Sequence, residues 1–297
     1  MVKAMTVEQL LKKGIEILQE GDLSNPFLDA QLLLCYALNV DKIYIYTQKD
    51  RQVNEENVDN FLRLVDKRKS GYPLQYIIRK QEFMGLDFFV KEGVLVPRPD
   101  TEILVETVIN IVEKGQFKDK DELKIVDIGA GSGAITLSLA HYIKNAFVYS
   151  VDISEEALKV AKKNCDNMNL QDRVKFLQGD LLNPLKEYNL LKNIDIIVSN
   201  PPYIPSKDIE DLQTEVSKYE PRLALDGGED GLKYYRRIIE QSTDYLVDGG
   251  LLAFEIGYDQ GKEVSELLRQ NKNFEDIRVI KDLAGHDRVV VGKIIYN

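Results

Sequence analysis

From about residue 100 onward, short apolar runs alternate with longer amphipathic stretches. Runs of this length predict strands. The stretches between the first five runs carry apolar residues at helical spacing, which predicts helices. The predicted strands are LKIVDIG (123–129), AFVYSVDI (146–153), VKFLQGD (174–180), IDIIVS (194–199), GLLAFEIG (250–257), FEDIRVIKDL (274–283) and DRVVVGKIIY (287–296). Strands linked by helical crossovers run parallel, with helices on both faces of the sheet. The last two are joined only by AGH, which predicts an antiparallel hairpin at the edge of a seven-stranded mixed sheet.

The first 71 residues have a different pattern, which predicts a small helical domain. Thr6 with Gln9 forms a capping-box pattern, Asn25 precedes Pro26, and Asn54 precedes an acidic pair; each arrangement is typical of a helix start.

Residues 72–97 are rich in β-branched and aromatic residues and contain turn signals at Met84-Gly85 and Glu92-Gly93. The predicted organisation is therefore an N-terminal helical domain (1–71) that recognises the substrate, a β-hairpin linker (72–97) and an α/β domain (98–297).

Composition indicates a globular protein, with 44% hydrophobic and 30% charged residues. We find no signal peptide and no apolar run near the roughly 18 residues that a membrane span needs, so we expect a cytoplasmic protein. Cys35 and Cys165 lie far apart without a CxxC partner and only two histidines are present, so we predict reduced thiols and no metal site.

The net charge of −10 is concentrated in the C-terminal part of the chain. Residues 1–97 carry 13 basic and 14 acidic side chains, whereas the remainder carries 26 and 35. Because an acidic body repels phosphate backbones, we do not expect DNA or RNA to be the direct substrate.

A glycine-rich loop, VDIGAGSGAI (126–135), follows the first predicted strand of the α/β domain and precedes a helix. Gly129, Gly131 and Gly133 would let a ligand lie against bare backbone at the carboxyl end of the strand. Asp152 ends the second strand, where it can accept hydrogen bonds from ribose hydroxyls. Both NAD and S-adenosylmethionine fit these residues, and a purely structural glycine turn is the third reading.

The third strand ends in Asp180 and Leu181, which suit a nucleoside. Asp180 can accept a hydrogen bond from an adenine amino group, and Leu181 can cover the adenine face.

The fourth strand ends in the unusual sequence SNPPYIPS (199–206) and should lie beside the first strand. Proline fixes φ and lacks an N–H, so Pro201 and Pro202 predict a rigid turn rich in hydrogen-bond acceptors, to which the Asn200 side chain adds another. Such a turn suits a planar NH₂ group, whose nitrogen it would point at an electrophile, with Tyr203 packing on the flat group. The sulfonium methyl of S-adenosylmethionine is the electrophile that fits.

These motifs resemble those of the peptide-chain release factor glutamine methyltransferases (PrmC/HemK family). Similar blocks run through nearly the whole chain: SGYPLQYIIRKQEFMGLDFFVKEGVLVPRPDTEILVE, DIGAGSGAI, SNPPYIP, YEPRLALDGGEDGLKYYRRI, EIGYDQG and KDLAGHDRVVV. The resemblance implies a Rossmann-like class I methyltransferase domain and methyl transfer from S-adenosyl-L-methionine, with S-adenosyl-L-homocysteine as product. The substrate would be the side-chain amide of the glutamine in the Gly-Gly-Gln loop of release factors.

The resemblance also implies site residues. The cofactor would be held by Asp127, Gly129, Ala130, Gly131, Ser132, Gly133, Asp152, Ile153, Asp180, Leu181 and Asn200. The glutamine would be held, and the reaction carried, by Asn200, Pro201, Pro202 and Tyr203.

The chain departs from the family pattern at three places. Arg79 stands where the family usually has glycine, Asp100 replaces a glutamate, and Leu181 replaces an aromatic residue seen in some relatives. We expect the segment VPRPDTE (96–102) to close over the cofactor and YEPRLAL (219–225) to act as a lid. Arg98 and Asp100 could instead pair or cap the next helix.

Two alternative functions remain at this point. The first is a DNA or RNA amino-group methyltransferase, which the acidic α/β domain disfavours. The second is a non-catalytic cofactor-binding scaffold of the translation machinery, which the intact acceptor turn disfavours.

Overall fold

The computed structural model describes residues 5–296, and these divide into two compact units. The first unit contains the residues up to Lys80 together with Gln213–Tyr219, and the second contains Gln81–Leu212 and the residues from Glu220 onward. The domain boundaries drawn from the sequence stay a prediction. No helix within residues 5–296 is long and apolar enough to cross a membrane.

The seven strands predicted after residue 100 occur in the predicted order, whereas the two short strands and the short helix at residues 42–47 in the first unit were not predicted. The α-helices are α1 (Val7–Gln19), α2 (Pro26–Leu38), α3 (Lys42–Thr47), α4 (Glu55–Lys69), α5 (Leu74–Ile78), α6 (Pro99–Glu113), α7 (Ala134–Tyr142), α8 (Glu155–Asn167), α9 (Thr214–Ser217), α10 (Lys233–Tyr245) and α11 (Gly261–Gln270). The strands are β1 (Met5–Thr6), β2 (Gln52–Val53), β3 (Gln81–Phe83), β4 (Leu86–Phe88), β5 (Leu123–Ile128), β6 (Ala146–Asp152), β7 (Val174–Gln178), β8 (Ile194–Ser199), β9 (Leu246–Glu255), β10 (Phe274–Lys281) and β11 (Asp287–Ile294). Short 3₁₀ helices connect several of them.

Side-chain caps begin the main helices of the first unit, as the sequence predicts. Thr6 and Gln9 form both hydrogen bonds of a capping box on α1, at 3.0 and 3.3 Å. Asn25 and Asn54 accept backbone N–H groups at the starts of α2 and α4. The three helices bury one apolar cluster around Phe61, which supplies the hydrophobic stabilisation of this unit.

A buried arginine near the end of α4 holds the segment Gln213–Tyr219 within the first unit. The Arg68 Nε donates to Asp29 at 2.7 Å, and its Nη1 donates to Glu215 at 2.7 Å. In the same segment, the ring of Tyr219 packs edge-on against Tyr72 at 5.0 Å.

The segment 72–97 contains less strand than the sequence suggests. Residues 74–78 form the one-turn helix α5, which Pro73 begins, and only β3 and β4 form the predicted hairpin. Arg79 ends α5 with φ +59°, the left-handed conformation in which glycine would be unstrained. The hairpin therefore forms despite the arginine.

The second unit has a seven-stranded sheet in the order β10-β11-β9-β8-β5-β6-β7. Strands β9, β8, β5, β6 and β7 run parallel, and β11 lies antiparallel between β9 and β10. Apolar clusters cover both faces, with α6 and α7 in one and α10 and α11 in the other. The predicted fold class, a Rossmann-like sheet with a C-terminal antiparallel hairpin, is confirmed.

Strand β9 begins at Leu246, four residues before the predicted start at Gly250. Gly249 adopts φ +77°, and the pairing with β8 slips between Ile194 and Ile196, which face Leu246 and Leu251. The early part of the strand is therefore bulged.

Candidate active site

A cleft with about 930 Å³ of open space lies at the carboxyl ends of the parallel strands of the second unit. This is where parallel α/β sheets bind ligands. Nine of the residues predicted for the site line it: Gly129, Gly131, Asp152, Ile153, Asp180, Leu181, Asn200, Pro201 and Pro202. The structure thus brings together the ends of four strands that are far apart in the sequence.

The other predicted site residues lie beside or beneath the cleft. Asp127, Ala130 and Ser132 are buried, and Gly133 begins α7 against Ala161 of α8. Tyr203 packs against the apolar cluster beneath the sheet end.

The glycine loop is fixed by backbone hydrogen bonds to the neighbouring strand. The N–H groups of Gly129 and Ala130 both donate to the Val151 carbonyl, at 2.8 and 3.0 Å. A side chain placed on Gly129 would have only the Asn200 carbonyl oxygen within 4 Å, at 3.9 Å. The loop therefore presents open backbone to the cleft.

Asp152 links the glycine loop to the second strand. Its Oδ2 accepts the Gly131 N–H at 2.9 Å, and its Oδ1 accepts the Ser154 N–H at 2.8 Å. Burial raises the pKa of Asp152 although these backbone donors act in the opposite direction. Each carboxylate oxygen has a second lone pair, so the pair of oxygens can still accept a ribose diol.

Asp127 lies directly under the glycine loop. Its Oδ2 accepts from the backbone N–H and the hydroxyl of Thr136, at 3.1 and 2.5 Å. Burial raises the pKa of Asp127 to about 7. Its Oδ1 has no hydrogen-bond partner among the described residues, so a buried acceptor remains available below the loop.

At the third strand, Asp180 and Leu181 reach the cleft in different ways. Asp180 forms an ion pair with Arg237 of α10, which occupies Oδ2. Leu181 is 8% exposed and adopts φ +52°. Leu181 therefore presents an apolar side chain to the cleft, whereas the Asp180 carboxylate is paired with the Arg237 guanidinium.

The turn after β8 is anchored on one side and open on the other. The Ser199 hydroxyl donates to the Ile128 carbonyl at 2.7 Å, which joins the ends of β8 and β5. The Asn200 side-chain amide donates to the Thr101 hydroxyl at 3.1 Å. The described residues donate no hydrogen bond to the carbonyls of Asn200, Pro201 and Pro202. These oxygens are available as acceptors at the cleft.

A hydrogen bond and close packing against two glycines hold the Tyr203 end of the turn in place. The Gln260 side-chain amide donates to the Tyr203 carbonyl at 3.0 Å. A Cβ built on Gly231 would lie 2.4 Å from that carbonyl oxygen, and one on Gly227 would lie 2.8 Å from the Tyr203 Cα. Burial raises the pKa of Tyr203, so its phenol stays neutral near pH 7.

Several cleft residues were missed in the sequence. The apolar side chains Val94, Leu95, Leu223, Tyr234 and Ile238 all line it. Tyr234 and Ile238 lie in α10, and Val94 lies in the segment predicted as a hairpin linker. Their chemistry carries no signal; only the position of YEPRLAL, predicted as a lid, pointed to Leu223.

Arg98 and Asp100 each form an ion pair, but with other residues than one another, and neither side chain caps α6. Arg98 forms an ion pair with Glu220 at 2.6 Å, and Glu220 is 6% exposed. Asp100 forms an ion pair with Arg288 of β11 at 3.1 Å. The residues of this region that line the cleft are Gly93, Val94 and Leu95, which precede VPRPDTE.

The residues present fit S-adenosylmethionine. The free Asp152 lone pairs suit a ribose, the apolar group of Leu181, Tyr234 and Ile238 suits an adenine ring, and the orphaned Asp127 oxygen lies below the bare loop. Among residues 5–296, no cluster of three or more His, Cys, Asp or Glu side chains could hold a metal ion.

Comparison with known proteins decides the family. A model described as the PrmC N-terminal domain matches residues 9–78, and a methyltransferase domain model matches residues 119–274. A release factor glutamine methyltransferase of Clostridium acetobutylicum is 44% identical over 287 residues, which covers 97% of this chain and 98% of the relative. This chain belongs to the release factor glutamine methyltransferase family.

Other relatives agree. The family member from Clostridium botulinum is 45% identical over 287 residues, covering 96% of this chain and 98% of the relative. The member from Bacillus cereus is 39% identical over 290 residues, covering 98% of this chain and 100% of the relative. The family predicted from the sequence blocks is confirmed, as is a methyltransferase that uses S-adenosylmethionine. The individual site residues stay predictions.

Proposed function

We propose that this chain transfers a methyl group from S-adenosylmethionine to the side-chain amide nitrogen of a glutamine in peptide-chain release factors. The proposed target is the glutamine of their Gly-Gly-Gln loop. The observation that carries the proposal is the acceptor turn after β8: Asn200, Pro201 and Pro202 line the same cleft as the glycine loop, and their carbonyl oxygens accept no hydrogen bond from the described residues. The curated relatives support the substrate class, because their names specify it.

A carboxamide nitrogen is a poor nucleophile because its lone pair is delocalised into the carbonyl group. The Asn200 Oδ1 and the neighbouring backbone oxygens would accept its two N–H bonds and hold the nitrogen in one orientation. Fixing the reacting atoms in this way supplies much of the acceleration that such a reaction needs.

S-adenosylmethionine supplies a methyl group on a positively charged sulfur. In the overall reaction the sulfur–carbon bond breaks as the nitrogen–carbon bond forms, and S-adenosylhomocysteine leaves. The alkylated nitrogen then releases one proton to solvent water, and the product amide is neutral. Because alkylation makes that proton acidic, the chain needs no strong base, and none of the turn residues is one.

The remaining predicted roles belong to the same proposal. Asp127, Asp152, Ile153, Asp180 and Leu181 would hold the nucleoside and amino acid parts of the cofactor, together with the loop from Gly129 through Ala130, Gly131 and Ser132 to Gly133. Pro201, Pro202 and Tyr203 would shape the glutamine site. The helical unit would recognise the release factor. We do not propose nucleic acid as the direct substrate. We place the reaction in the cytoplasm, where release factors terminate translation.

The test is mass spectrometry of a purified release factor after incubation with the enzyme and S-adenosylmethionine. We expect one added methyl group on the Gly-Gly-Gln glutamine. Asn200→Ala should lower kcat about 100-fold while the cofactor still binds, because orientation of the amide is lost. Asn167→Ala, an exposed position at the end of α8, is the matched control and should leave kcat unchanged. Methylation of nucleic acid in place of the release factor, or full turnover by Asn200→Ala, would contradict the proposal.

A further inference from the structure

Asn200 has a polar support behind it that the proposed reaction does not use. Strands β8 and β9 are parallel neighbours, and Ser199 pairs with Phe254 in their register. Asn200 and Glu255 are therefore adjacent, each one step beyond that pair. Thr101, in the first turn of α6, receives the hydrogen bond from Asn200 at 3.1 Å.

Glu255 is a buried carboxyl with an incomplete set of partners. It is 1% exposed, and its Oε2 has no hydrogen-bond partner among the described residues. Burial raises the pKa of Glu255 to about 7, while nearby Thr101, Arg288 and Asn200 act against that rise. Burying a carboxyl group without a full set of hydrogen-bond partners costs free energy, so its presence here indicates a functional role.

The orientation of the Asn200 carboxamide decides whether the turn works. An asparagine side chain can rotate by about 180°, which exchanges its oxygen and its NH₂ group. Only one orientation presents the oxygen as an acceptor for a substrate N–H. The other would present a donor and repel the same group.

Thr101 alone cannot select the orientation, because a hydroxyl both donates and accepts. An ionised carboxyl only accepts. If the Thr101 hydroxyl donates to Glu255, its lone pairs are left to accept from Asn200 Nδ2, and the Asn200 oxygen must then face away from Thr101.

We infer that Glu255 and Thr101 are positioning residues that fix the Asn200 carboxamide with its oxygen towards the substrate. The inference rests on the proposed function and deepens it. Through Thr101 and Glu255, it also assigns a role to the sequence blocks PRPDTE and EIGYDQG, whose polar side chains do not line the cleft.

Two charged side chains and two tyrosines also lie near Glu255. Arg288 of β11 favours its ionised form, and Asp100 of α6 opposes it. Burial, together with the nearby Glu255 carboxyl, raises the pKa of Tyr203 in the turn. The Tyr235 hydroxyl of α10 donates to the Glu255 backbone carbonyl at 2.9 Å rather than to its side chain. Protonation of Glu255 would turn an acceptor into a donor and remove the preference at Thr101.

The first experiment compares three variants with the wild type on a release factor. Thr101→Val should lower kcat about tenfold, the rate equivalent of one neutral hydrogen bond. Thr101→Ser retains the hydroxyl and should stay within about threefold of the wild type. The wild-type kcat should fall as the pH drops below about 7, and Glu255→Gln should lose that acid limb. Equal kcat for Thr101→Val and the wild type, or an unchanged acid limb in Glu255→Gln, would overturn the inference.

A second measurement does not depend on the substrate. The side-chain NH₂ signal of Asn200 in a ¹⁵N correlation spectrum, identified by its loss in Asn200→Ala, should shift with pH around a midpoint near 7. In Glu255→Gln that titration should disappear. Its persistence there would overturn the positioning role. If the wild type fails to methylate release factors but the titration behaves as expected, the proposed function is wrong, whereas the positioning of Asn200 by Thr101 and Glu255 stands.

Discussion

The contact between Gly231 and the turn gives a sharp prediction about the site. Gly231 has φ +74°, and a Cβ there would lie 2.4 Å from the Tyr203 carbonyl oxygen. Gly285, in the β10–β11 turn, has φ +87°, and nothing lies within 4 Å of its Cβ position. Alanine at either position thus meets the same backbone strain, but only Gly231→Ala collides with the turn.

The two costs separate cleanly. Left-handed backbone costs an alanine about 1 to 2 kcal/mol at each position. At Gly231 the Cβ must also gain about 1 Å of space to reach an ordinary contact distance, and the Tyr203 carbonyl is held by Gln260. A displacement of that size near reacting groups costs about 100-fold in rate. We therefore expect similar losses of stability from the backbone term and a kcat loss confined to Gly231→Ala.

The assay is single-turnover methyl transfer to a release factor with saturating cofactor, alongside thermal unfolding of each variant. Gly231→Ala should turn over about 100-fold more slowly than Gly285→Ala. Equal turnover by the two variants would refute the idea that the glycine braces the turn.

Three further predictions concern other parts of the chain. Arg68→Met should destabilise the first unit by about 3 kcal/mol in urea unfolding, because it leaves Asp29 buried without its partner; Arg68→Met with Asp29→Leu should recover most of the loss, and a double variant as unstable as the single one would contradict this. Burial raises the pKa of Asp127 to about 7, so the stability it contributes is complete below about pH 4 and is lost as pH rises through 7; Asp127→Asn should therefore gain stability relative to the wild type across that window, and parallel pH curves would refute the assignment. Arg79→Gly should raise the free energy of unfolding by about 0.5 kcal/mol, since relief of the left-handed backbone exceeds the entropy cost of glycine, and a loss of stability would contradict it.

The sheet was predictable because its strands are continuous apolar runs between amphipathic helices. Strand β8 ends at Ser199, as predicted, and β5 ends one residue before its predicted boundary. The positions of the predicted polar groups followed from topology, since parallel strands end at one edge. That is why Asp152 and Asn200, far apart in sequence, line one cleft.

The parts that were missed depend on contacts that no local pattern encodes. The hydroxyl of Thr101 and the carboxyl of Glu255 meet the turn from an adjacent helix and strand, and although both lie in quoted sequence blocks, nothing in those blocks indicates that they meet at Asn200. Arg98 and Glu220 pair across a separation of 122 residues. The bulge at the start of β9 was not predicted, because the predicted strand began only at Gly250.

The discontinuous make-up of the first unit limits how the chain can be dissected. A fragment that stops at Lys80 would lack Gln213–Tyr219, and with it the Glu215 carboxylate that shares Arg68. Conversely, a fragment that starts at Gln81 would keep that stretch of chain without the arginine it pairs with. Binding measurements on isolated halves would therefore be made on fragments that lack the Arg68–Glu215 ion pair. The contribution of each unit is better measured by point substitution in the intact protein.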